Sequence, residues 1–104
     1  MENKAKLIKK AKAVLIYKDL KRVSERLKEA VKKSPTVFNQ DATIQRFEFC
    51  FELSWKLMKA TCEIEGLEVV SPKGAIRQAA VIGLIDNPEI WFKFLDARNI
   101  TVHA

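Results

Sequence analysis

The sequence predicts an all-α bundle folded as a single domain over residues 1–104, and three observations carry that expectation. No Gly or Pro occurs before Pro35, and the segment is rich in Ala, Leu, Lys and Glu, which favours unbroken helix. Apolar residues recur at helical spacing along most of the chain, whereas no stretch alternates with period two, so no sheet is expected. With 104 residues, 48% apolar and 31% charged, the chain has the size and composition of one globular core.

The first third carries a packing stripe at Ile16, Leu20, Val23, Leu27 and Ala30/Val31, spaced i, i+4, i+7. Leu7, Ile8, Ala11 and Leu15 read as a looser extension of it toward the N-terminus. One long helix over 4–33 and two shorter ones fit the pattern equally. Ser34-Pro35 ends the segment, because proline biases its predecessor away from helical geometry. Asn39 to Asp41 then offer helix-start chemistry and Gly66 a stop. Between them Gln45, Glu48, Glu52, Lys56, Lys59 and Glu63 share one arc of about 80°, and nearly everything else is apolar. Such a helix must touch several neighbours at once, which makes it the central helix and its aromatic residues packing rather than a stacking platform. Ser71-Pro72 and Asn87-Pro88 are two cap-plus-proline starts. They open a short helix from Pro72 to about Ile82, closed by Gly83, and a last helix from Glu89 onward.

The net charge of +6 is concentrated in one place. Residues 1–33 hold twelve Lys/Arg against four Asp/Glu, and residues 34–104 hold seven against nine. That asymmetry suits a polyanion or an acidic partner, or a solvated lysine face. Residues 1–16 form a basic N-terminal extension, expected either to pack as helix over the last helix or to remain a mobile tail. Cys50 and Cys62 lie about 18 Å apart on one helix, too far to join. Without a metal cage, a secretion signal or an apolar run of membrane-spanning length, the expectation is a cytoplasmic protein with no metal and no membrane contact.

The segment Asp96-Ala-Arg-Asn-Ile-Thr-Val-His103 contains the only histidine. On a helix, Trp91, Phe94, Leu95 and Val102 fall within about 100° of one another with Arg98 in their midst. Asp96, Asn99 and His103 form a polar stripe roughly 100–160° away. An arginine in an apolar face requires an anion, a carboxylate partner or a route to solvent. Arg46 poses the same question on the central helix. It points with Leu53, Leu57 and Ile64, and is either an arginine with its head in water or a second phosphate ligand facing Arg98.

Arg98-Asn99 followed by His103 resembles the Arg-x(4–6)-His signature of HEPN domains. The likeness extends back through Asp41-Ala-Thr-Ile-Gln-Arg-Phe-Glu-Phe-Cys-Phe-Glu-Leu-Ser-Trp-Lys56, Ser71-Pro72, Gly83-Leu-Ile-Asp86 and Pro88-Glu-Ile-Trp91, in that family's order. It covers about residues 17 to 103, and the branch it resembles is that of nucleotidyltransferase substrate-binding proteins. The resemblance implies an up-and-down bundle of four to five helices, paired as a two-fold homodimer with two Arg/His motifs in one cleft. It implies a toxin acting as a metal-independent, cofactor-free endoribonuclease, held in check by a minimal nucleotidyltransferase encoded beside it. Arg98 and His103 would be the catalytic residues, with Asn99, Arg46 and Asp96 binding substrate or phosphate. Histidine suits the proton transfer, since its ordinary pKa lies near neutrality, and an arginine fork suits the developing phosphate charge. The same branch suggests an alternative, a non-catalytic subunit that presents a nucleotide to a separate nucleotidyltransferase. Toxin members often continue the motif as His-x-Tyr, a position that falls beyond Ala104.

Overall fold

A computed structural model of the chain describes residues 3–103. Four α-helices follow one another: α1 (Lys4–Val31), α2 (Val37–Ile64), α3 (Pro72–Val81) and α4 (Pro88–His103). Among the described residues there is no strand, in line with the all-helical expectation. Residues 1 and 2 of the expected N-terminal extension, and Ala104, lie outside the described residues.

Local chemistry sets most of the boundaries. Asn3 caps α1, its side chain accepting from the Lys6 N–H at 2.8 Å. α1 is one unbroken helix of 28 residues, which decides between the one-helix and two-helix readings. α2 begins two residues before Asn39 because Thr36 is the cap. Its backbone is extended and its hydroxyl accepts from the Asn39 N–H at 3.1 Å, so Asn39 lies inside the first turn. The Asn39 amide instead donates back to the Ser34 carbonyl at 2.7 Å, tying the turn to the new helix. α2 and α3 end alike. Gly66 and Gly83 have φ of 81° and 77°, a region open to glycine at no steric cost. Leu67 N–H donates to the Cys62 carbonyl and Leu84 N–H to the Ala79 carbonyl, which closes a Schellman motif at each end. Ser71 caps α3 through the Gly74 N–H, with Pro72 as its first helical residue.

α2 is the hub: it packs against each of the other three helices, whereas α1 touches α2 alone. The core comprises Phe51, Met58 and Cys62 of α2, Val69 of the following loop, and Ala75, Ile76 and Ala79 of α3. Trp91, Phe92 and Leu95 of α4 lean on this cluster without being fully buried. An edge-to-face contact of Phe94 with Phe47 (6.4 Å) brings α4 against α2, and within α4 Trp91 stands edge-on to Phe94 at 5.4 Å. The molecule measures 54 × 24 × 23 Å. Its radius of gyration of 15.2 Å exceeds the roughly 13 Å usual at this length, because the α1–α2 hairpin outreaches the rest.

The N-terminal half of α1 differs from the sequence expectation. It is helical from Lys4, yet Leu7, Ile8, Val14 and Leu15 are 50–64% exposed, and α1 does not reach α4. The reason is azimuth. These residues lie roughly 90–170° around the helix from the centre of the Ile16–Leu27 stripe that faces α2, so they do not extend that stripe. No helix among the described residues is long and apolar enough to cross a membrane.

Candidate functional site

The end of α4 places its polar residues in two environments. Arg98 is half-buried against α2, its guanidinium carbon 5.4 Å from the centroid of the Phe51 ring. That ring is 3% exposed and stands 6.5 Å from Phe47, so the arginine rests on a fixed aromatic platform. Its Nε is buried and has no hydrogen-bond partner among the described residues. Asp96, Asn99 and His103 are exposed. Five helical residues advance the chain by about 7.5 Å and turn it through about 140°. Within one copy, therefore, Arg98 faces a cleft while His103, Asn99 and Asp96 stand outside it.

The cleft has a volume of about 570 Å³ and is lined by Gln45, Glu48, Phe49 and Glu52 of α2 with Arg98 and Val102 of α4. Glu52 is oriented by its own helix, accepting from the Trp55 indole N–H at 3.0 Å. Neither carboxylate forms an ion pair with Arg98 among the described residues. Glu48, Glu52 and Phe51 were not singled out by the sequence. The helical period did place the two glutamates on one arc, but nothing local says that α4 lies across that arc.

Of the two readings of Arg46, the geometry does not favour the one in which it faces Arg98. The Arg46 Nη1 donates to the carbonyl of Arg26 in α1 at 2.9 Å. Arg46 lies about 140° around α2 from Phe51, so it meets α1 while Arg98 meets the other flank. It lines a second cleft of about 360 Å³ with Val23 and Arg26 of α1 and Ala42, Gln45 and Phe49 of α2. The two clefts are thus neighbours, divided by the Gln45–Phe49 ridge.

Burial pushes the thiols of Cys50 and Cys62 up from their ordinary value, and the Glu63 charge adds to the effect on Cys62. Neither thiol lines the Arg98 cleft. No group of three or more His, Cys, Asp or Glu side chains among the described residues is arranged to hold a metal ion.

A helical bundle whose last helix seats an arginine on the central helix, five residues ahead of an exposed histidine, has the architecture of a HEPN domain. Residues 15–104 match the family described as nucleotidyltransferase substrate binding protein like, and the chain belongs to that family. It is 37% identical over 66 residues to a protein of Haemophilus influenzae named "Probable ribonuclease HepT". That match takes in 59% of this chain and 45% of the relative, so the chain spans less than half of that protein's length. It is also similar to the crystal structure of ttk003001694 from Thermus thermophilus, with 40% identity and a TM-score of 0.74. That likeness covers 82% of this chain and 75% of the other.

Proposed function

We propose that the protein is a HEPN-type endoribonuclease that works without a metal, as a homodimer in which two Arg98/His103 pairs line one cleft. The observation that carries this reading is Arg98 itself, held over Phe51 with a buried Nε that has no partner among the described residues. A guanidinium left with unused donors in a cleft is suited to an anion. Because His103 of the same copy lies on another side of α4, the second copy is the natural source of a histidine for that arginine. The relative named a ribonuclease supports the choice of RNA as substrate.

The chemistry follows from these groups. One His103 takes the proton of a ribose 2′-hydroxyl, whose oxygen attacks the adjacent phosphorus. The bond from phosphorus to the 5′-oxygen breaks, and His103 of the second copy, in its protonated form, protonates that oxygen. Arg98 meets the charge gathering on the non-bridging oxygens. Asn99, one turn before His103, orients the imidazole or binds a phosphate oxygen, and exposed Asp96 stands a further turn back as a weaker contact. In the cell this fits a cytoplasmic toxin restrained by a minimal nucleotidyltransferase. The alternative, a non-catalytic subunit presenting nucleotides to that enzyme, draws on the family's description and on Glu48 and Glu52, which suit base or ribose donors better than a polyanion.

Turnover separates the two. RNA incubated with the protein in EDTA should yield 2′,3′-cyclic phosphate ends, and His103→Ala should reduce the rate by about a hundredfold or more with the helical spectrum unchanged. Equal cleavage by the variant would assign the activity elsewhere, and nucleotide binding without turnover would favour the alternative. Light scattering should give twice the 11.9 kDa chain mass; a monomer at micromolar concentration would remove the shared cleft.

A further inference from the structure

Phe49 breaks the pattern of α2. Phe47, Phe51 and Trp55 turn toward the core or toward α4, whereas Phe49 is 63% exposed in mid-helix between half-buried Glu48 and buried Cys50. It forms part of the wall between the Arg98 cleft and the Arg46 cleft. Cations therefore stand on both sides of an exposed ring whose backbone is fixed by a core helix. The cleft on the α1 side contains two arginines and no carboxylate. Arg46 uses one Nη1 bond to the Arg26 carbonyl, which aims its fork and leaves other N–H donors unspent, and the Arg26 side chain is exposed. On the α4 side Glu48 and Glu52 accompany Arg98, so the α1 side is the more cationic of the two.

We propose that Phe49 stacks a base of a single-stranded RNA whose adjoining phosphate is held by Arg26 and Arg46. The strand would cross α2 at the Gln45–Phe49 ridge, next to the cleft of Arg98. Base-on-aromatic stacking flanked by arginines is how sequence-tolerant single-strand binding is achieved, since every base presents a π face. The inference rests on the ribonuclease reading for its substrate, and it adds a binding subsite outside the reacting groups.

The test uses the full chain carrying His103→Ala, titrated with fluorescein-labelled C12 RNA and with an all-abasic ribose-phosphate 12-mer. Adding Phe49→Ala should weaken C12 binding about tenfold, Phe49→Trp should retain it, and both should bind the abasic strand like the parent. Arg26→Ala should lower the slope of log affinity against log salt by about 0.7 on either strand. Unchanged C12 affinity for Phe49→Ala, or an equal loss on the abasic strand, would overturn the stacking role. So would a smaller sedimenting mass for Phe49→Ala, which would make the ring a contact between copies. Cleavage by the chain with His103 intact is scored separately. Phe49-dependent binding without cleavage keeps this site and rejects the catalytic reading, and His103-dependent cleavage with no Phe49 effect does the reverse.

Discussion

The seam between α1 and α2 and the seam between α2 and α4 each contain an arginine set among apolar residues, and they treat it differently. At the first, Arg46 spends one Nη1 donor on a backbone carbonyl of the neighbouring helix at 2.9 Å. At the second, Arg98 meets an aromatic face and retains a buried Nε with no partner among the described residues. A buried donor without an acceptor is a standing cost, of about 1–3 kcal/mol for a fully desolvated group. The proposed function supplies that acceptor from outside the single chain. The contrast separates an arginine tied to the backbone of a neighbouring helix from one seated on a ring, where residue type and helical phase alone do not.

Removing the platform should have the largest effect on stability. Phe51→Ala takes a 3%-exposed ring from the centre of the core, and a loss of about 3–5 kcal/mol is expected in denaturant titrations. A loss under about 1 kcal/mol would mean that the α2–α4 seam is loose and that Arg98 has no fixed seat.

Matched substitutions of the two arginines test the comparison directly. Arg46→Met gives up its bond to the Arg26 carbonyl and should cost about 1 kcal/mol, read as a fall of several degrees in Tm. Arg98→Met removes the unpartnered Nε while keeping the apolar stem, so stability should hold or rise. On the ribonuclease reading, cleavage should nonetheless vanish. Equal destabilisation by both would show that the fold depends on Arg98 as much as on Arg46.

The smallest effect concerns the buried thiols. Burial raises both above their ordinary value of 9.0, so the folded state holds its thiol protons longer than the unfolded chain. Below about pH 9 both states are protonated and pH does nothing through these groups. Above it the unfolded state ionises first and stability falls as pH rises. Replacing Cys50 and Cys62 together by Ala should flatten part of that alkaline decline; an identical pH slope would show the thiols to be silent.

The helices and their punctuation were legible in the residues alone. Ser71-Pro72, Gly66 and Gly83 act through backbone geometry within a few residues, and each does in the structure what its chemistry prescribes. Thr36 won the start of α2 over Asn39 because any side-chain oxygen next to an extended backbone can cap, and several were on offer. The stripe Ile16–Leu27 was readable for the same local reason, since a 3.6-residue period is a property of one helix. The pairing of Arg98 with His103 as a motif was readable too, and so was their divergence in azimuth.

Which helix lies across which face is a matter for packing. The phase of α2 put Glu48 and Glu52 on one arc and Phe51 on another, but α4 crosses so that it borders both, making a cleft of residues that looked solvated. Arg46 and Arg98 looked equivalent until α1 was found to supply a carbonyl to one and Phe51 an aromatic face to the other. Leu7, Ile8 and Leu15 looked like more of the packing stripe until α1 proved to be one unbroken helix with their side turned outward. Helical period fixes directions relative to a helix's own axis. Only the packing of helix on helix turns those directions into neighbours.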